Sequence, residues 1–272
     1  MNWDRFLLRF TGGPKSNKGS VDTPPPFEAV NDLERALVKA ATDPAARPDF
    51  YRCILASQLY VSKEGESPRG YESVHLEKGT KLTFRMLTID GKTYLPVFTS
   101  LPRLQVYIQQ PSGYYAFETR DLLEITRGGD LFMNPGSAYG KYLLAPEIAS
   151  ILDGSIWKPK NSMRVDHETK ISIGQPARYP KELVEALGRL FQRIPGVQSA
   201  YLAHYFNPET TVPPHTLIAI EADGEWDPIS AATGIVINAV KIFDPPVDVI
   251  PLGKSGLESY FRKECQPFYR KM

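Results

Sequence analysis

The sequence predicts an α+β fold made of two mixed α/β domains, each a small sheet packed with helices. Three observations carry this reading. Short apolar runs of strand length alternate along the chain with stretches whose apolar residues recur at helical spacing. Between two such sets lies "WKPKNSMRVDHET" (157–169), which is polar and aperiodic, as an inter-domain linker is. The second set runs strand, helix, hairpin, helix, strand, a two-layer plan. With 272 residues the chain is long enough to bury a real core in each domain. The expected division is 1–26 as a helix and tether, 27–160 as the first domain and 161–272 as the second.

The elements follow in order. In "NWDRFLLRF" the residues Trp3, Phe6, Leu7 and Phe10 fall on one face of a helix, and Asp4, Arg5 and Arg9 lie off it. Gly, Pro, Ser and Lys dominate 11–26, which argues for a tether without regular structure. The apolar stripe has three destinations: this protein's own domains, a partner or second copy, or a membrane surface, for which one short helix offers little area. "FEAVNDLERALVKAATD" has helical periodicity through Val30, Leu33, Leu37 and Ala41 and stops before Pro44. "FYRCILASQLYV" reads as a strand, and Asp90-Gly91 marks a hairpin within "TKLTFRMLTIDGKTYLPVFTS". "LPRLQVYIQ" and "ETRDLLEITRG" read as short helices, "GDLFMN" as a buried strand, and "APEIASILDG" as a helix closed by Gly154.

In the second domain "TKISIG" is a strand, and "KELVEALGRLFQRI" is an amphipathic helix using Leu183, Leu187, Leu190 and Phe191. "VQSAYLAHYF" and "HTLIAIEA" are paired strands. "DPISAATGIVINAVKIF" is a helix with Asp227 as cap and Pro228 at its first position. "VDVIPLG" is a strand and "GLESYFRKE" a terminal helix.

Composition narrows the function classes. A net charge of +1 provides no field for nucleic acid or an anionic membrane. No apolar run is long enough for a transmembrane segment. The stretch "MNWDRFLLRFTGGPKS" lacks a long apolar core followed by a small-residue cleavage site, so no secretory signal is expected there, and two cysteines, Cys53 and Cys265, suit a reducing cytosol. The expectation is a soluble cytoplasmic protein.

The strongest candidate for chemistry is "NPGSAYGKYLLAPEIASILDG" (134–154), in which an Asn-Pro-Gly turn follows an apolar strand. Gly136, Gly140 and Lys141 invite comparison with a phosphate loop, whose glycines let backbone N–H groups reach phosphate oxygens. Their spacing is one residue short of that motif, and Tyr142 stands where Ser or Thr is needed. The loop is therefore read as a structural connector or an exposed recognition loop, with Lys141 exposed and dispensable for stability. His75, His167, His204 and His215 are dispersed without metal-ligand spacing. His204 and His215 read as satisfied structural histidines in or at strands. Cys53 reads as a buried inert thiol in a strand. Cys265 sits beside Arg262 and Lys263 near the C-terminus, where those charges would lower its pKa. Glu182 and Glu185 face outward on a helix, and Arg103 and Arg120 are too sparse for a phosphate-binding surface. No motif for a cofactor, a metal or a catalytic centre emerges.

Several of these segments, taken together, resemble the SseB family, named for enhanced serine sensitivity. "YLPVFTSLPRLQVYI" followed by "GGDLFMNPGSAYGKYLLAPEIASIL" is similar to its N-terminal domain. "ISIGQPARYPKELVEALGRLF", "VQSAYLAHYF", "VDVIPLG" and the closing "PFYRKM" are similar to its C-terminal domain. The resemblance spans roughly residues 29–272 and leaves 1–26 outside. It carries over no catalytic residues. It implies a non-catalytic protein-binding role; the more specific alternative is a cytoplasmic immunity protein that neutralises a cognate toxin, and an enzyme of another type is the third. Candidate partner-binding residues are Trp3, Phe6, Leu7, Phe10, Asn134 and Tyr139, with another protein or a second copy of the chain as partner and with no cofactor.

Overall fold

The structure, a computed structural model, describes residues 27–63, 80–108, 112–158 and 171–272. Trp3, Phe6, Leu7, Phe10, His75, His167 and most of the 157–169 stretch lie outside the described residues. The architecture is α+β, with small mixed sheets and helices packed on them. The chain forms two compact units, one of Asp49–Asp153 with the segment ending at Thr42, the other of Asp43–Pro48 with Gly154–Met272.

The first unit opens with helix α1 (Asp32–Thr42), whose Leu33, Leu37 and Ala41 are buried at the expected spacing. Val30 precedes the helix and is exposed. Helix α2 (Arg47–Leu55) replaces the first half of the strand expected from "FYRCILASQLYV", and strand β1 (Gln58–Ser62) takes up its end. The reason is periodicity: Phe50, Tyr51 and Ile54 share one helical face and are buried, whereas Arg52 is exposed. Strands β2 (Leu87–Ile89) and β3 (Lys92–Val97) pair antiparallel across Asp90-Gly91, both at positive φ, as a two-residue hairpin requires. Helix α3 (Leu101–Ile108) follows, then strand β4 (Tyr114–Glu118), which pairs with β1, and helix α4 (Thr119–Ile125).

Strand β5 (Leu131–Met133) lies parallel to β3 and is fully buried. An unpredicted strand, β6 (Lys141–Leu143), pairs antiparallel with β5 and completes the sheet order β2-β3-β5-β6. The loop 134–140 is thus the turn of a β-hairpin. Helix α5 (Ala145–Leu152) ends with Gly154 at φ 74°, the left-handed position that a glycine fills without a steric penalty.

The second unit contains strand β7 (Ser172–Gly174), helix α6 (Lys181–Phe191), strands β8 (Val197–Phe206) and β9 (His215–Ala222), helix α7 (Trp226–Ile237), strand β10 (Val247–Pro251), helix α8 (Glu258–Glu264) and strand β11 (Tyr269–Arg270). The sheet runs β10-β9-β8-β11, with β7 also on β8. Leu183, Leu187, Leu190 and Phe191 of α6 pack with Val236 of α7 against Ala200, Leu202, Ile218 and Ile220. Burying each such large side chain contributes ~1.5–3 kcal/mol. The opposite sheet face, Tyr201, Ala203, Leu217 and Ala219, is covered by Leu252 and by Phe261 of α8. That adds a partial third layer to the expected two. The cap of helix α7 is Glu225, two residues before the expected Asp227, so Asp227 sits inside its first turn. Ala45, from the 3₁₀ turn Pro44–Ala46, belongs to this unit's core.

Candidate functional site

The most densely connected polar group lies in the first unit, where three segments converge on Glu34. Asn31 caps α1: its side chain accepts a hydrogen bond from the Glu34 N–H at 2.9 Å and donates one to the Thr99 carbonyl at 2.8 Å. Glu34 returns the favour by accepting from the Val30 N–H at 3.0 Å, a variant of the capping box. Its carboxylate also accepts from Thr99 Oγ1 and Ser100 Oγ, both at 2.8 Å, and from two nitrogens of Arg103 at 3.1 and 3.3 Å. Glu34 is fully buried. Burial acts to raise its pKa, yet Arg103 and the Val30, Ser100 and Thr99 donors together hold it below the ordinary carboxylate value.

Asn134, at φ 51°, is the second hub. Its Oδ1 accepts from the Thr99 N–H at 3.0 Å, its Nδ2 donates to Thr99 Oγ1 at 2.9 Å, and it is fully buried. Pro135 and Gly136 (φ 77°) then form a turn closed by the Ser137 N–H on the Asn134 carbonyl at 3.2 Å. Arg103 also donates to the Glu28 carbonyl and lies 3.7 Å from the centre of the Phe27 ring. Phe27 meets Tyr139 edge-on at 5.1 Å. So the cap of α1, the first turn of α3 and the β5–β6 loop are bolted together, and Phe27 and Tyr139 are held, half-buried, above the bolt.

Lys141 contradicts the sequence expectation. It is buried, with Nζ 2.8 Å from Glu147 Oε1, and Tyr51 donates to the same oxygen at 2.7 Å. Its side chain therefore turns inward from β6 toward α2 and α5. Gly140 is required for a different reason than phosphate approach. A Cβ there would sit 2.9 Å from the Met133 carbonyl oxygen and 3.2 Å from that of Asn134.

The remaining candidates fall in the second unit or stand apart. His215 is buried, its Nδ1 2.8 Å from the Pro213 carbonyl and its Nε2 3.0 Å from Asp248 Oδ2, a structural clip between β9 and β10 as expected. His204 differs from expectation: its Nε2 is buried without a hydrogen-bond partner among the described residues. Cys265 is buried, not exposed; Gln175 Nε2 lies 3.1 Å from its Sγ, and burial pushes the thiol pKa up, not down. Cys53 sits half-buried in α2, not in a strand, and its thiol is likewise raised by burial. Glu182 and Glu185 are exposed on α6, as expected. Among the described residues no three metal-capable side chains group together, and no helix is long and apolar enough to cross a membrane.

Comparison with known proteins bears directly on this arrangement. Residues 33–150 match the model of the SseB protein N-terminal domain, and residues 165–271 that of the SseB protein C-terminal domain. The chain belongs to the SseB family. It is 31% identical over 250 residues to Protein SseB of Escherichia coli (strain K12), covering 90% of this chain and 93% of that protein. Protein SseB of Shigella flexneri matches to the same extent. No solved structure matches.

Glu34, Thr99, Ser100 and Arg103 of this SseB-family chain escaped sequence reading. A signal existed in Asn31-x-x-Glu34, the spacing of a capping box. It announces a helix start but not that the carboxylate also recruits Thr99, Ser100 and Arg103 from 65 or more residues away.

Proposed function

We propose that this SseB-family chain is a non-catalytic protein-binding protein that presents the surface built around Phe27, Val30, α3 and Tyr139. The observation that carries this reading is the Glu34–Thr99–Ser100–Arg103–Asn134 network beneath that surface. Its charged pair is closed on itself: Glu34 is spent on Arg103 and on backbone and hydroxyl donors, so the network fixes geometry instead of offering an acid or base. The segments it joins carry partly or fully exposed apolar and aromatic side chains, of which Val30 and Val106 are 54% and 55% exposed. Aromatic anchors on a rigid frame are what a protein interface uses, because they offer contact area at low entropic cost. Asn134, having no exposed surface, serves in this reading by holding the loop that carries Tyr139.

The test is affinity capture from native cells with the full chain and with Tyr139→Ala. A partner retained by the wild type and lost with the variant, at unchanged melting temperature, supports the reading. Equal capture by both would reject this surface. Turnover of a small molecule that depends on Glu34 or Lys141 would reject the non-catalytic role.

A further inference from the structure

Two loops of the second unit meet at its surface: 175–180, between β7 and α6, and 238–246, between α7 and β10. Each is pinned on both sides. Gln175 Nε2 lies 3.1 Å from Cys265 Sγ, and the Pro180 carbonyl accepts from the Val184 N–H of α6 at 3.0 Å. Val240 and Ile242 pack against the core of the unit, and Val247 pairs with Thr216 of β9. Between these anchors Arg178 is exposed, Phe243 is 50% exposed, and the guanidinium carbon stands 3.4 Å from the centre of the Phe243 ring. Tyr179, next to Arg178 in the chain, is 55% exposed. Arg, Tyr and Phe are the side chains that dominate protein interfaces, and here anchored loops hold them in water.

The contact itself says what is missing. At 3.4 Å the planar guanidinium lies on the ring, because a steep tilt would drive a nitrogen into it. Its N–H donors then point outward in a fixed plane, where a carboxylate can accept two of them at once. Arg262 of the same unit has such partners, Glu221 at 2.6 Å and Glu258 at 2.8 Å. Among the described residues no oxygen accepts from Arg178, and Phe243 is its contact. We propose that Arg178 and Phe243, with Tyr179 beside them, form a second contact surface that takes an acidic segment of a partner protein, with a carboxylate on the Arg178 fork and an apolar neighbour on Phe243. Charge selects a single carboxylate over a phosphate-rich ligand. Asp244 and Glu182 are exposed beside Phe243 in the chain and in the first turn of α6, and they oppose a polyanion, which also needs more cations than this surface offers. The proposal stands on the second unit alone and does not rest on the surface around Tyr139.

The probe is a phage-displayed library of random dodecapeptides selected on the full chain, with enriched peptides then synthesised and titrated by fluorescence anisotropy. The expected peptides carry Asp or Glu, and replacing that residue by its amide weakens binding roughly tenfold. Arg178→Ala and Phe243→Ala each weaken binding by about tenfold or more, at unchanged melting temperature because both side chains are exposed. Arg178→Lys keeps the charge but not the planar fork, and recovers little of the affinity. Lys254→Ala removes the same charge from another exposed position of this unit and leaves binding unchanged. Failure to enrich any peptide, peptides without acidic residues, or binding indifferent to Arg178→Ala and Phe243→Ala would overturn the proposal. So would full affinity in Arg178→Lys or an equal loss in Lys254→Ala, since either reduces the effect to net charge. Concentration-dependent dimers of the free chain that disappear with Phe243→Ala would assign the surface to a second copy instead.

Discussion

Replacing Lys141 with Ala puts the most sequence-contrary feature of the structure to the test. An exposed lysine at a hairpin turn would be removed with little effect. Here the side chains of Lys141 and Glu147 are only 5% and 8% exposed, and they meet at 2.8 Å. Deleting the lysine leaves a buried carboxylate with Tyr51 as its remaining donor. Breaking a buried pair from one side costs roughly 3–5 kcal/mol. The Tyr51 hydrogen bond places the expectation near the lower end, about 3 kcal/mol. For a unit of somewhat over 100 residues that lowers the melting temperature by roughly 10 °C. Scanning calorimetry is the right assay, because it follows the affected transition even where the two units melt separately. The double variant Lys141→Met/Glu147→Gln removes both charges and should recover at least half of the loss, since an uncharged pair of similar size leaves no orphan carboxylate. A single-variant shift below about 2 °C would refute the buried-pair reasoning. So would a double variant less stable than the single one.

Two further outcomes follow. Glu34 has a folded-state pKa below its ordinary value of 4.5, so its contribution is fully present above that pH and is lost as pH falls through the folded pKa. Denaturant titrations between neutral pH and about pH 3 should therefore show the wild type losing stability that Glu34→Gln, less stable at neutral pH, does not lose; parallel curves would remove Glu34 from the acid response. Gly140→Ala should cost about 1–3 kcal/mol, because its Cβ would stand 2.9 Å from a backbone oxygen that cannot swing aside; an unchanged urea midpoint would show that the β5–β6 loop relaxes freely.

Where the chain is periodic, the fold was legible. Leu183, Leu187, Leu190 and Phe191 gave α6 its buried face, and Asp90-Gly91 gave the β2–β3 hairpin, because each signal is local and has a single geometric solution. The helix at 47–55 was misread for an instructive reason. An apolar run with Tyr51 and Cys53 has strand composition, but Pro48 and Asp49 at its start and the Phe50, Tyr51 and Ile54 spacing belong to a helix. In this segment the periodicity of the buried side chains, and not the composition, decides the element. Strand β6 was missed because three residues after a glycine loop carry too little pattern to register, and only pairing with β5 makes them a strand.

The polar residues were the least legible, and the cause is physical. A charged side chain reads as exposed by default because isolated burial is costly, and that default holds unless a partner of opposite charge arrives from elsewhere in the fold. Lys141 and Glu147 lie six residues apart, across the end of β6 and the first turn of α5, and only the turn between them brings Nζ to Oε1. Glu34 is a stronger case, since its donors come from its own cap and from a segment 65 to 69 residues distant. Asn134, expected from the sequence to meet a partner, turns its amide inward to Thr99, whereas Tyr139 of the same loop is half-buried. In each instance the sequence marks a residue that needs an explanation, and long-range pairing decides which one. The polar network therefore defines the geometry of the surface above it, and a test of that surface must leave the network intact: Tyr139 and Val106 are the positions to change, and Asn134 and Glu34 are not.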